Sequence, residues 1–238
     1  MARRFLSFFS TSIDLRPEAD GPGTNALNMT TGRSGDTGDH VDDPAEYVPD
    51  QLPGRAMFDG PVQRSFPDLD PDTFWDDNEY ALSAYVDVPP SPALIDSVEA
   101  DLGYRLPASY VTLMRSHNGG IPHHTCCPAP SPTTWADTHV AVDGIMGIGR
   151  KKPYSLAGEA GSRFWIQEWG YPPIGVYFAT CPSAGHDMIA FDYQNNDHGE
   201  PRVVHVDQER DYRITVLAPN FASFIRALRP GSAYEDKV

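Results

Sequence analysis

Histidine and cysteine crowd one stretch of the sequence, His123-His124-Thr125-Cys126-Cys127, and Cys181 and His186 follow later. Both residue types ligate zinc, but structural zinc sites usually separate paired ligands by about two to four residues. Neither the adjacent histidines nor the adjacent cysteines do so, and Pro122 and Pro128 bracket them in what reads as a loop. No metal site is therefore expected. Cys126 or Cys127 as a nucleophile needs a positioned histidine and a lowered pKa, and the sequence offers no sign of either. Gly185-His186-Asp187 could pair an acid with a base. The simpler reading is a turn in which Asp187 bonds backbone amides and His186 packs at a strand entrance. Asp192 and Asp207 are read as turn or edge acceptors. Gly144-Ile145-Met146-Gly147-Ile148-Gly149-Arg150-Lys151-Lys152 is glycine-rich, yet it lacks the spacing and the Gly-Lys-Ser/Thr ending of a phosphate loop. Its basic triplet reads as a solvated turn. No catalytic residue and no cofactor is expected.

Contact chemistry is better represented. Trp75, Trp135, Trp165 and Trp169 fit either core or interface, because tryptophan is enriched in both. Asp68, Asp70, Asp72, Asp76, Asp77 and Glu79 cluster around the start of the first helix. Acidic side chains there complement the helix dipole, and the remainder would form a docking stripe for a basic partner. The candidate partner-binding residues are thus Trp75, Asp76, Asp77 and Glu79 in one block, and Glu168, Trp169, His186 and Asp187 in another.

These residues need elements to hold them. Phe74-Trp75-Asp76-Asp77 is expected to begin a short helix capped by Asp72 or Thr73, with Leu82 and Tyr85 continuing its apolar face. The helix stops before Pro89-Pro90. Ser91 then caps a second helix with Pro92 in its first turn. Leu94, Ile95, Val98 and Leu102 share one face, and Gly103 suits the C-cap. A third helix follows Leu106-Pro107, buries Tyr110, Val111 and Met114, and ends at Asn118-Gly119-Gly120. Together these form a helical hairpin. Strands are expected over Thr138 to Ile148, Ile174 to Phe178, Met188 to Tyr193 and Arg202 to Val206, with a short helix over Phe164 to Trp169. A last amphipathic helix runs from Pro219 to Leu228 and buries Phe221, Phe224, Ile225 and Leu228. This order predicts an α+β domain, with the helical hairpin and C-terminal helix packed on a mainly antiparallel sheet.

Residues 1–65 are dense in Gly, Pro, Asp, Thr and Ser, show no period, and cannot bury enough apolar surface to offset their ordering entropy. They are assigned as a disordered arm, 66–232 as the folded domain and 233–238 as a tail. The chain of 238 residues has a formal net charge of −15 and 23 prolines. The arm holds 6 basic and 10 acidic residues and the remainder 12 and 23, so the domain side carries net −11. Such a charge disfavours nucleic acid and anionic membranes and favours basic partners. Three cysteines make no disulfide framework, which suits a reducing cytoplasm. The N-terminal Met-Ala-Arg-Arg-Phe-Leu-Ser-Phe-Phe-Ser has an apolar run of about five residues, short of a signal peptide's 7–15. No stretch approaches the roughly 18 apolar residues of a membrane span.

Several blocks, in order, resemble one family. They are Phe74-Trp75-Asp76-Asp77, Leu102-Gly103-Tyr104-Arg105-Leu106-Pro107-Ala108-Ser109-Tyr110 and His117-Asn118-Gly119-Gly120. Ile145-Met146-Gly147-Ile148-Gly149, Glu168-Trp169-Gly170-Tyr171-Pro172 and Cys181 to Asp187 follow, then Val203 to Glu209 and Leu217 to Ile225. Over about 66–232 the chain resembles a SUKH domain of the Smi/Knr cell-wall-regulator type. The resemblance implies a protein-binding α+β fold without an active site. Many bacterial members are immunity proteins that neutralise toxins, often nucleases, and fungal relatives are hubs in cell-wall signalling. An immunity protein blocking a basic toxin is the leading expectation, a hub or scaffold the alternative, and a metal-dependent enzyme the third.

Overall fold

A computed structural model describes residues 66, 69–194 and 200–235. All of them belong to one unit, Glu46–Val238. The expected disordered arm lies outside the described residues apart from its boundary at Phe66. At the boundary assigned between domain and tail, Gly231–Ala233 forms a 3-10 turn, and Tyr234 stacks on His139 with ring centroids 4.1 Å apart.

The first helix is not the one the sequence suggested. Helix α1 covers only Pro71–Phe74, and the chain then extends as β1, Trp75–Asp76. A new helix, α2, covers Glu79–Ala84, capped by Asn78, whose side-chain oxygen accepts from the Ala81 amide at 2.9 Å. Trp75 therefore shares no helical face with Leu82, which points to solvent, while Tyr85 at the end of α2 is buried. The break arises because β1 pairs with a segment far along the chain, β2 at Ile121–Pro122. Trp75 stacks there on His117 at 4.9 Å.

The helical hairpin follows as expected. Helix α3, Pro92–Leu102, is capped by Ser91 and ends at Gly103 with φ of 82°, a left-handed conformation that suits glycine. Helix α4 covers Ala108–Ser116. The turn between them is held by a residue the sequence reading passed over. Glu99 is buried, accepts from the Leu106 amide at 2.9 Å, and pairs with Arg105 Nη1 at 2.6 Å. It connects α3 to the Leu-Gly-Tyr-Arg-Leu-Pro block. Glu99→Ala leaves the Leu106 amide buried without an acceptor, and a loss of about 2 kcal/mol is expected. Urea unfolding measures it, and an unchanged midpoint would contradict this role.

The remaining strands are β3, Cys126–Pro128; β4, His139–Ala141; β5, Gly144–Ile145; β6, Gly175–Thr180; β7, Asp187–Asp192; β8, Arg202–Asp207; and β9, Arg213–Ala218. The expected strand over 138–148 is split. Its first part pairs with β3, whereas β5 pairs with β6 in another sheet. The chain changes partner at Val142 and Asp143, whose amides reach Thr125 and Thr180 carbonyls. Strands β5 to β9 form one antiparallel sheet in sequence order. Strand β9 was not anticipated, because its Ile214 and Val216 face solvent at the sheet edge and so break the apolar-inward rule.

Helix α5 covers Ser162–Gln167 and α6 covers Phe221–Ala227, capped by Asn220. One sheet face carries Phe191, on which Tyr110 of α4 and Phe221 of α6 pack edge-on. The register places Tyr177 opposite Ala190, hence on the other face. There Ser162 at the start of α5 accepts from the Tyr177 amide at 2.9 Å. Strands β6 and β7 are buried along their whole length. The chain is α+β, as the pattern of elements implied.

Candidate partner-binding surface and a buried polar cluster

The two blocks of candidate contact residues are each divided by the fold. In the first, Trp75 is buried and Asp76 is half-buried, while Asp77 and Glu79 are exposed. Trp75, which fitted either core or interface, lies in the interior: β1 turns it under His117, whose Nε2 lies 3.1 Å from Asp77. Asp77 is thus held at the rim above a buried tryptophan. Neighbouring residues missed by the sequence reading complete the surface. Tyr80 is 50% exposed, Leu82 46% and Val88 65%. They are three of the six large apolar side chains that stand well into solvent among the described residues. Helix α2 is responsible for the first two, since it turns Ala81 and Ala84 inward and leaves Tyr80 and Leu82 outside; Val88 follows the helix. Segment 76–88 thereby mixes apolar side chains with Asp76, Asp77, Glu79 and Asp87. The missed signal was the order of sizes in Tyr80-Ala81-Leu82-Ser83-Ala84, where small residues face the core.

In the second block, Glu168 is exposed and Trp169 half-buried. Trp169 meets His186 edge-on at 6.4 Å, and His186 Nδ1 lies 3.6 Å from Glu209. Asp187, read as a turn acceptor and a candidate contact residue, lies in the interior. It opens β7, is 4% exposed, and its Oδ2 lies 2.7 Å from Nε2 of His205, which is fully buried. The register explains the pair: Ile189 opposes His205 and Asp187 opposes Asp207, so Asp187 and His205 share a sheet face. His205 was missed, although a lone histidine inside Val203-Val204-His205-Val206 signals a buried strand position needing a partner. Asp207 is buried as well and accepts from the amide and hydroxyl of Thr134 at 2.8 and 3.0 Å. Asp192 accepts from the Gln194 amide and from Arg202 at 2.9 and 2.8 Å.

The other sequence candidates have structural duties. Arg150 binds Ser97 and Asp101 on α3, and Lys152 donates to the Leu82 carbonyl at 2.7 Å. Arg150 and Lys152 therefore tie their loop to helices. Cys126 and Cys127 lie in β3, not in a loop, and all three cysteines are free and buried. Burial pushes the Cys127 thiol up to about 12 and raises Cys126 and Cys181 above their ordinary range. Burial thus keeps Cys126 and Cys127 protonated and poorly nucleophilic at pH 8. A thiol-reactive disulfide reagent is expected to label the native chain far more slowly than the urea-unfolded chain, and fast labelling of the native chain would contradict this burial. Among the described residues, the potential ligand group that converges is Cys181, Asp187 and His205, with one donor atom of each within 4.8 Å of the others. His186 is not part of it.

The fold and surface define a small α+β domain that presents acidic and apolar side chains together. The sequence profile of the SMI1 / KNR4 family (SUKH-1) matches residues 89–227. That is more than half of the chain, which belongs to this family. No curated protein and no solved structure matches it. No helix among the described residues is long and apolar enough to cross a membrane.

Proposed function

We propose that this chain is a cytoplasmic immunity protein that binds a basic toxin, of nuclease type, and blocks it by surface complementarity without chemistry of its own. Segment 76–88 is the observation that carries the reading. Tyr80, Leu82 and Val88 supply exposed apolar area, and Asp76, Asp77, Glu79 and Asp87 surround them in sequence. An apolar centre with a charged rim is the anatomy of a protein interface, with aromatic residues as its anchors. A nuclease must approach phosphates, so its cleft is basic, and an acidic inhibitor gains association rate from it. The net charge of −11 on residues 66–238 supports the same partner. Trp169, His186 and Glu209 form a second, smaller group that is available for contact. Family membership supports a binding role rather than an enzymatic one.

The test is an affinity pull-down from the native host's lysate at low and moderate salt, read by mass spectrometry. One dominant basic protein, weakened as salt rises, is expected. Co-expression of that protein with this chain should then restore growth. Continued cell death with the chain soluble would overturn the immunity role, and a set of unrelated signalling proteins would replace it with a hub.

A further inference from the structure

Cys181, Asp187 and His205 come from three separate stretches: the residue after β6, the first residue of β7 and the middle of β8. They are 5%, 4% and 0% exposed. A thiol, a carboxylate and an imidazole are three of the side chains that ligate zinc. Their donor atoms already lie within 4.8 Å of one another. Two buried atoms of this group also lack a hydrogen-bond partner, Oδ1 of Asp187 and Nδ1 of His205. Leaving a buried polar atom unpaired is destabilising, and native folds rarely tolerate two such atoms on adjacent side chains.

The turn that delivers these groups is tightly built. Ala184 and Gly185 both take positive φ, at 56° and 94°. A Cβ on Gly185 would meet the Trp165 ring at 2.7 Å. Tyr171 donates to the Gly185 carbonyl at 2.7 Å, and the Asp187 amide donates to Ser183 Oγ at 3.0 Å. The loop is therefore held in place before any ligand arrives, and it sets Cys181 and Asp187 beside His205 of β8.

We propose that Cys181, Asp187 and His205 form a buried structural zinc site that pins the 181–187 turn to β8. Zinc(II) takes one oxygen of Asp187, one ring nitrogen of neutral His205 and the Cys181 sulfur. The thiol proton leaves to solvent as the Zn–S bond forms, so the two anionic ligands balance the dication. A buried water fills the fourth tetrahedral position. The burial of all three donors excludes a substrate and gives the ion a purely structural task. The spacing Cys-x5-Asp with a distant histidine matches no paired-ligand pattern, so sequence inspection does not reveal it.

The full-length chain is unfolded, stripped with a chelator and refolded with cobalt(II), a spectroscopic substitute for zinc. The expected result is one cobalt per chain with a thiolate-to-metal charge-transfer band, bleached by added zinc. The melting temperature of the wild-type chain should also rise with zinc relative to chelator. Cys181→Ser is expected to abolish the band, whereas the Cys126→Ser, Cys127→Ser double variant keeps it. Should Cys181→Ser fail to fold, the wild-type and double-variant spectra decide the matter. A correctly refolded wild-type chain with no thiolate band overturns the site, as does a band that disappears with Cys126 and Cys127.

Discussion

Phe221→Ala is expected to destabilise the domain by about 3–5 kcal/mol, the range for truncating a buried phenylalanine. Phe221 is fully buried, and its ring meets Phe66, Tyr110, Phe178, Phe191 and Phe224 at centroid distances between 5.2 and 6.4 Å. The sheet, α4 and α6 converge on this single ring, so its loss opens a cavity that no one neighbour can fill. A third or more of the stability of an ordinary domain, about 5–15 kcal/mol, is at stake in that substitution. Chemical unfolding of the purified variant measures it. A loss under about 1 kcal/mol would mean that the aromatic cluster is not the centre of the core.

Asn118→Ala is the second large effect, about 3 kcal/mol or more, because it orphans several buried groups at once. Asn118 Nδ2 donates to the Val88 and Ile148 carbonyls at 2.8 and 3.1 Å, and its Oδ1 accepts from the Ile148 amide at 2.7 Å. Backbone bonding between Asp87 and Asn118 completes the clamp. One side chain thus joins the end of segment 76–88, the end of the hairpin and the glycine-rich loop. Gly119 beside it takes φ of 87°, and a Cβ there would come within 2.6 Å of the Gly147 amide nitrogen. The Asn-Gly pair and the Gly-Ile-Gly run are therefore two halves of one contact. Asn118→Ala should also loosen Val88 and its neighbours, seen as faster amide exchange there; unchanged exchange with unchanged stability would contradict the clamp.

Punctuation decided which parts of this fold were legible. Ser91-Pro92, Gly103, Pro107 and Asn118-Gly119 mark helix ends by backbone chemistry that does not depend on distant partners, and the hairpin followed from them. The C-terminal helix was legible through Phe221, Phe224 and Ile225, which share its buried face. Elements defined by remote pairing were not. Strand β1 is two residues long, and only its pairing with Ile121 and Pro122 separates it from a helix. Asp187 looked like a turn acceptor because nothing in its neighbourhood names His205, its partner across the β7–β8 register. The proposed contact surface was half legible: acidic residues near the first helix stood out, but the exposure of Tyr80 and Leu82 depends on how α2 is turned. Apolar residues on the surface follow the same alphabet as those inside, and a sequence pattern alone does not separate them.

The central claim is that segment 76–88 is the surface that captures a basic partner. The direct measurement is the affinity of the captured protein for the wild-type chain and for two full-length variants, Asp77→Lys with Glu79→Lys, and Tyr80→Ala with Leu82→Ala. Each variant is first shown to retain the wild-type melting temperature. The charge-reversed variant is expected to bind at least tenfold more weakly, mainly through slower association, with a flatter salt dependence. The apolar variant should lose at least as much through faster dissociation, tenfold corresponding to about 1.4 kcal/mol. Folded variants that bind the partner as tightly as the wild type would place the interface elsewhere on the domain and contradict this account.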